Sequence, residues 1–303
     1  MKRFIPYLLI LILLTLIIIN KDTIYAKYTE YIIDIESKKI KVPENNEYAR
    51  KYSFSYVQLT DDFIPDNKQD LLNILFTGLN SGQTSFEFYC SKDYTTCIED
   101  VNSIAKDQVL ISDINNFVHP FNSFNHIETK YDTLGHVTIT TTRNYTEKQI
   151  EEINNKVNEI YNSIYNPDVD LTTNISNIHD YIVNNSKYDK ERSDYNVVAY
   201  YSDIAYGPLL QGYALCGGYS DAMELFLEKL GVESFKVSSE EHVWNAVYLN
   251  DTWLHLDLTW DDPITTSGED YLSKDYFLIT TEQLEAITIR EHNYDKNVYK
   301  ELA

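Results

Sequence analysis

Short apolar stretches with strand-like or helix-like spacing make up the first half of the chain. The strand-like stretches are residues 28–36, 40–43 and 84–90. The helix-like stretches are residues 68–79 and 97–106. Residues 127–131 and 137–142 are predicted to form a hairpin with Leu134 and Gly135 at its turn.

Two amphipathic helices follow, and the first begins at Thr146. The Thr146 hydroxyl can cap a helix end while Gln149 reaches back to it, and isoleucine and valine then recur every three or four positions. Residues 166–168, with the sequence Asn-Pro-Asp, end this helix. Thr172 or Thr173 is predicted to start the second helix, which runs to about residue 185.

A third helix and a hairpin complete the pattern. The helix begins at Cys216 and closes at Gly231. Residues 242–259 are predicted to form a hairpin with Asn250 and Asp251 at its turn, so that paired positions sum to 501. One face of this hairpin carries His242, Trp244, Ala246, Tyr248, Trp253, His255, Asp257 and Thr259. We expect that face to carry the chemistry and the opposite face, rich in valine and leucine, to be core.

The composition predicts a folded chain that does not bind nucleic acid. The 303 residues are 43% hydrophobic, which is enough to build real cores. The 47 acidic residues outnumber the 25 basic ones, for a net charge of -22. Such a surface repels phosphate backbones, and it favours cationic partners such as lysine-rich segments.

The first 26 residues look like an export signal. Lys2 and Arg3 precede an apolar run over residues 4–19, and Ala26 offers a small residue at a cleavage position. An uncleaved anchor is the alternative, because the run is only a little shorter than the ~20 residues that span a membrane. The protein is therefore predicted to be secreted or extracytoplasmic, either free or anchored to the membrane.

These patterns divide the chain into three parts. Residues 1–26 are the signal peptide or anchor, and residues 27–145 form an N-terminal α+β domain with no assigned role. Residues 146–303 form the domain that carries the candidate chemistry.

An exported chain with three cysteines leaves one of them unpaired within the molecule. Cys90 and Cys97 are separated by a polar, turn-like spacer and are predicted to form a disulfide. Cys216 is then the free thiol. The count alone leaves two interpretations open, a buried inert thiol and a reactive one.

The position of Cys216 at a helix start suits a nucleophile. Free amide groups and the positive end of the helix dipole favour thiolate over thiol there. Gly217 and Gly218 are expected to leave the backbone beside the sulfur open to a substrate carbonyl. The Cys216 amide could then donate a hydrogen bond to an oxyanion.

A nucleophilic thiolate needs a base and a group that orients the base, and the hairpin offers both. His242 and Asp257 are diagonal neighbours in the predicted register, which brings an imidazole and a carboxylate within hydrogen-bonding reach. His255 is a rival base. Asp257 lies on the same strand as His255 and cannot orient it in the way that it orients His242 across the hairpin. We therefore prefer His242.

As a set, these residues resemble the transglutaminase-like superfamily, and secreted bacterial members in particular. The resemblance covers residues 174–263. It rests on a cysteine at a helix start, His-Val-Trp-Asn at residues 242–245 and Leu-Asp-Leu-Thr-Trp-Asp-Asp-Pro at residues 256–263, in that order.

The resemblance implies an α+β, papain-like core, in which helices carry the nucleophile at a helix start and pack on an antiparallel sheet. It implies Cys216 as nucleophile, His242 as general base and acid, and Asp257 as the group that orients His242. It also makes Tyr188 the candidate for an aromatic donor to the oxyanion. The acidic calcium loops of animal members have no counterpart here, so the resemblance implies no metal and no cofactor.

The chemistry predicted from these residues is acyl transfer on protein or peptide amides through a thioester on Cys216. A lysine amine as acceptor would make the protein a cross-linking transglutaminase, and water would make it a peptidase or deamidase. The alternative is a non-catalytic binding module at the cell surface or wall with a transglutaminase-like fold. The substrate and the oligomeric state do not follow from the sequence.

Overall fold

The computed structural model describes residues 5–263, 271–287 and 290–303, and its mixed helices and antiparallel sheets confirm the α+β class. The helices are α1 Ile5–Ile19, α2 Lys21–Ser37, α3 Lys68–Asn80, α4 Cys97–Lys106, α5 Gln108–Asn116, α6 Glu147–Ile164, α7 Leu171–Asn185, α8 Lys190–Tyr195, α9 Cys216–Lys229, α10 Leu258–Asp261 and α11 Thr281–Ala286. The strands are β1 Ser85–Tyr89, β2 Phe124–Tyr131, β3 His136–Arg143, β4 Lys187–Tyr188, β5 Tyr213–Ala214, β6 Ser234–Ser238, β7 Val243–Leu249 and β8 Thr252–Leu256.

The N-terminal segment is helical, which corrects one prediction. Residues 28–36 lie in α2 and not in a strand, and residues 40–43 join no sheet in the described chain. Apolar pairs such as Ile32-Ile33 fit a helix face as well as a strand, so the pattern alone did not decide. Lys2 and Arg3 of the predicted signal lie outside the described residues. None of the helices described is both long enough and apolar enough to span a membrane.

The first sheet has the strand order β1-β3-β2 and is antiparallel throughout. The predicted β2–β3 hairpin is confirmed, and the Asp132 carboxylate closes its turn by accepting from the backbone N–H groups of Leu134 and His136. Helices α3 and α4 and strand β1 are also confirmed. Helix α5 was not predicted, and the Asp107 side chain caps its start.

Helices α6 and α7 carry the predicted apolar stripes, with one correction at a helix end. Thr146 and Gln149 form the predicted capping box of α6. Helix α7 begins earlier than predicted, because Asp170 is its cap and accepts a hydrogen bond of 2.8 Å from the backbone of Thr173. Asp170 thus satisfies a free N–H group of the first turn.

The second sheet has the order β6-β7-β8 and carries the predicted hairpin. Leu249 pairs with Thr252, so paired positions sum to 501 as predicted. Asn250 and Asp251 turn the chain with positive φ values of 51° and 61°. Strand β8 ends at Leu256, earlier than predicted, because the Asp257 side chain caps α10.

Both faces of this second sheet are buried, which corrects the prediction of one core face and one chemical face. Val247 and Leu256 pack in one cluster with residues of α9. Trp244 and Ala246, on the face with His242, pack in another cluster that includes Phe117 of the N-terminal region. Apolar contacts therefore cross residue 146, and the division of the chain there remains a prediction. The reactive groups must lie at the end of the sheet.

Candidate active site

Cys216 is the first residue of α9, and its neighbours hold it from both sides. Cys90 and Cys97 form the predicted disulfide, with Cα atoms 5.8 Å apart, and Cys216 is the free cysteine. The Leu215 N–H donates to the Ser202 carbonyl at 2.6 Å. The Ser220 hydroxyl lies 2.7 Å from the Cys216 carbonyl, to which it donates. The half-buried thiol is thus anchored by backbone contacts before and after it.

The glycines after Cys216 allow a neighbouring loop to approach. A Cβ atom on Gly217 would lie 2.7 Å from the carbonyl oxygen of Asp203, and one on Gly218 would lie 2.3 Å from that of Ser202. The sequence predicted that these glycines leave access to the sulfur. The structure adds a packing reason, since a larger residue would push residues 202–204 away from the helix start.

His242 lies one residue before β7 and donates from Nε2 to Oδ2 of Asp257 over 2.6 Å. The two side chains are 5% and 2% exposed. The β7–β8 register brings these residues together across the end of the sheet. A buried ion pair of this geometry holds the ring in one orientation.

Cys216 interacts with the same imidazole ring. Burial disfavours the charged ring, but the charge of Asp257 and its hydrogen bond, followed by the hydrogen bond and charge of Cys216, raise the pKa of His242 to about 10. Nε2 is engaged by Asp257, so Nδ1 is the nitrogen left for the thiol. Asp257 thus holds the ring by a hydrogen bond and Cys216 acts on its pKa, and the assignment of the three residues as a catalytic triad remains a prediction.

Asp257 accepts four hydrogen bonds, two on each carboxylate oxygen. Oδ1 accepts from the backbone N–H groups of Thr259 and Trp260, which are the first turn of α10. Oδ2 accepts from His242 and also from Nε2 of His292, at 2.8 Å. Burial alone would raise the pKa of Asp257, but the two histidines hold it well below its usual range. The carboxylate therefore stays ionised inside the protein.

His292 is a site residue that sequence reasoning missed. It ends a short 3-10 turn, Arg290–His292, and its side chain is 4% exposed. Its ring stacks on Tyr276, with the centroids 5.0 Å apart. No motif spacing relates His292 to Cys216 or Asp257, so the sequence carried no signal that could have found it.

His255, the rival base, is bound elsewhere. Its Nδ1 accepts a hydrogen bond from Trp244 Nε1 at 2.9 Å, and its Nε2 lies 3.1 Å from the Thr281 hydroxyl. Burial lowers the pKa of His255 to about 3, so the ring is neutral. Both ring nitrogens are occupied within the core, which leaves neither for a proton transfer at Cys216.

Tyr188 lies on β4, opposite a residue of β5 that is two positions before Cys216. Its strand, β4, pairs in parallel with β5, and Tyr188 is opposite Ala214. Its hydroxyl is 3.3 Å from the Ser193 hydroxyl. Burial raises the pKa of Tyr188, the Ser193 hydrogen bond lowers it, and the charge of Cys216 raises it further. A role of Tyr188 at the oxyanion remains a prediction.

His242, Asp257 and His292 also offer a set of atoms that a metal ion could use, since one ligand atom from each lies within 4.8 Å of the others. Tetrahedral zinc, with ligands at about 2.0–2.1 Å, would separate its ligand atoms by roughly 3.3 Å. Both imidazole nitrogens are instead 2.6 and 2.8 Å from one carboxylate oxygen. These distances suit hydrogen bonds, and the absence of a metal remains a prediction.

Comparisons with known proteins give partial similarities. No known protein family matches the chain, and no curated protein does. A solved transglutaminase (TGase) structure aligns over 45% of this chain and 44% of its own, with 14% identity and a TM-score of 0.35. A protein from Cytophaga hutchinsonii with a provisional assignment as a cysteine protease aligns over 44% of this chain and 61% of its own, with 11% identity and a TM-score of 0.28. The chain thus spans less than two thirds of either protein.

Proposed function

We propose that the protein is a thiol-dependent acyltransferase of transglutaminase-like type, acting on protein or peptide amides outside the cytoplasm. The observation that carries the proposal is the buried imidazole of His242, which donates to the carboxylate of Asp257 and whose pKa the thiol of Cys216 helps to raise. Nucleophile, base and orienting group in this order are what amide acyl transfer requires.

His242 moves the proton in both halves of the reaction. The Cys216 thiolate attacks the amide carbonyl, and the tetrahedral intermediate collapses as the carbon–nitrogen bond breaks. The leaving amine takes its proton from Nδ1 of His242. An incoming amine or water then gives a proton back to Nδ1 as it attacks the thioester, and the carbon–sulfur bond breaks. Asp257 keeps the proton on Nε2 throughout.

Two groups are proposed to stabilise the oxyanion. The N–H of Cys216 belongs to the first turn of α9, where amide groups have no partner within the helix. Tyr188, whose pKa the charge of Cys216 helps to raise, is the proposed second donor. One such donor accelerates acyl transfer by about 100- to 1000-fold.

Location outside the cytoplasm is part of the proposal. The Cys90–Cys97 disulfide is compatible with an oxidising compartment. The apolar N-terminal segment is proposed to direct export, as a cleaved signal or as an anchor. The acidic surface favours lysine-rich protein segments as partners.

Incubation of a glutamine-containing protein with a fluorescent primary amine tests the proposal and identifies the acceptor. We expect label on the protein, or ammonia or cleaved peptide without label, and in either case none with Cys216→Ser. Label indicates cross-linking activity, whereas ammonia or cleavage without label indicates hydrolysis. Turnover that survives in Cys216→Ser would contradict the proposal. Absence of turnover over a panel of protein substrates, with ordinary reactivity of the thiol, would favour a binding module.

A further inference from the structure

Asp257 has a second imidazole partner that the proposed mechanism does not use. Oδ2 accepts from Nε2 of His242 at 2.6 Å and from Nε2 of His292 at 2.8 Å. The two rings are nearly perpendicular, at 86°, with centroids 5.3 Å apart. A single carboxylate oxygen thus joins two buried histidines that are 50 positions apart in the sequence (292 minus 242).

The segment that carries His292 is fixed on both sides of it. The carbonyl of Glu291 accepts a hydrogen bond from the hydroxyl of Ser239, just before His242 in the chain. Further along, the Tyr299 hydroxyl donates to the Asp113 carboxylate at 2.8 Å and lies 2.8 Å from the Ser238 hydroxyl. These contacts attach the C-terminal segment to the end of β6, next to His242, and leave His292 little freedom.

We propose that His292 is a positioning residue, which orients the Asp257 carboxylate toward His242 through a second N–H donor. The inference rests on the proposed function and deepens it. His292 acts through Asp257 and has no role in attacking or protonating the substrate. Without this donor, Oδ2 would be held by His242 alone. The carboxylate could then rotate about the two hydrogen bonds that Oδ1 accepts from the backbone of α10.

The charge of Asp257 gives this role a measurable consequence. Burial raises the pKa of Asp257, and the interactions with His242 and then His292 lower it. Loss of the His292 donor therefore raises the pKa of Asp257. Asp257 in turn raises the pKa of His242 by its charge and its hydrogen bond, so a carboxylate that has lost its second donor should hold the His242 proton less tightly, and the pKa of His242 should fall.

Several other titratable groups surround Asp257 and His292, and a test variant must leave them in place. They are Cys216 on α9, His242 before β7, His255 on β8, Asp261 on α10, and Tyr276, Glu291 and Tyr294 on the segments that follow. Burial is the main cause that lowers the pKa of His255, and the charge of His292 lowers it further. A His292 variant therefore also changes the pKa of His255. His255 has both ring nitrogens occupied and does not reach the thiol.

The test is the pH titration of His242, followed by ¹⁵N-histidine NMR in the full chain from pH 5 to 11. His292→Phe keeps a ring on Tyr276 but removes the N–H, whereas His292→Gln keeps an N–H donor. Tyr294→Phe is the control, because it changes the same segment without a contact to Asp257. We expect the His242 ring of His292→Phe to lose its proton about one pH unit lower than in wild type, which is about tenfold weaker binding of that proton. His292→Gln should remain within about half a pH unit of wild type, and Tyr294→Phe should match it.

A His242 titration in His292→Phe that matches wild type would overturn the inference, as would an equal shift in His292→Phe and His292→Gln. If His292→Phe does not fold, ¹⁵N-histidine spectra decide. We expect a downfield N–H signal from His292 in wild type that Asp257→Asn shifts upfield, and its absence in wild type would overturn the inference. A wild-type Cys216 alkylation rate that follows an ordinary thiol as the pH changes would instead refute the proposed function. The two failures are therefore distinguishable.

Discussion

Nε2 of His242 lies 2.6 Å from Oδ2 of Asp257 at the end of a sheet whose two faces are both buried. Strand β8 ends one residue before Asp257, and the carboxylate caps α10 with its other oxygen. The cap holds Oδ1 and leaves Oδ2 to accept from His242 and His292. A secondary-structure boundary thus positions the orienting group of the proposed mechanism.

Asp257→Asn should slow Cys216 alkylation at neutral pH by about tenfold, and by no more than the roughly 30-fold that separates an ordinary thiol of pKa ~8.5 from a full thiolate at pH 7. An amide cannot stabilise the imidazolium, and in one of its two orientations it turns an N–H toward His242. Stability should fall by about 1–3 kcal/mol, because a buried donor loses its acceptor. Alkylation rates and urea unfolding measure both effects. Asp251→Asn at the hairpin turn is the control, and a similar loss there would argue against a specific role for Asp257.

The pKa shifts of His242 and Asp257 also predict how the free energy of unfolding depends on pH. The folded pKa of His242 is raised to about 10, so its contribution is complete below about pH 6.5 and is lost as the pH rises toward 10. The folded pKa of Asp257 is lowered, so its contribution is present above about pH 3.8 and is lost in acid. Relative to His242→Gln, wild type should be most stable between about pH 4 and 6.5. Urea unfolding at pH 6, 8 and 10 checks this, and parallel curves for the two proteins would contradict it.

Gly218→Ala should lower both stability and reactivity. The added Cβ would lie 2.3 Å from the Ser202 carbonyl oxygen and 3.1 Å from that of Ile204, so the backbone must move. We expect a loss of about 1–3 kcal/mol and slower alkylation of the displaced Cys216. Gly231→Ala is the matched control, because it strains a positive φ of 73° without any neighbour within 4 Å. Unchanged alkylation in Gly218→Ala would show that the loop contact does not position the thiol.

Removal of the disulfide should affect stability alone. Cys90 and Cys97 are seven positions apart, and closing so short a loop stabilises the folded chain by about 2–3 kcal/mol. The double variant Cys90→Ala/Cys97→Ala should unfold at a correspondingly lower urea concentration. Its Cys216 alkylation profile should match wild type, and a shifted profile would link the N-terminal region to the site.

Local signals in the sequence predicted the elements that carry the site. Thr146 with Gln149 marked a helix start, and Asn250-Asp251 fixed the hairpin register, because caps and two-residue turns depend on neighbouring residues alone. The register in turn placed His242 near Asp257. The α+β class followed from the same patterns.

Tertiary contacts account for what the sequence did not predict. His292 meets Asp257 only because the C-terminal segment packs on Ser239 and on the end of β6. The His242 face of the sheet is buried because Phe117, far away in sequence, packs on Phe235. In α2, the apolar pairs fit both a helix and a strand. The sequence showed no strand partner that could have distinguished the two.

The pH dependence of Cys216 alkylation tests the central claim most directly. Wild type is predicted to react selectively and rapidly below pH 7, because His242 stabilises the thiolate as an ion pair. His242→Gln should react like an ordinary thiol, with a rate that rises only as the pH approaches ~8.5, while His255→Gln should keep the wild-type profile. A wild-type rate that follows an ordinary thiol, and that does not change in His242→Gln, would contradict the account.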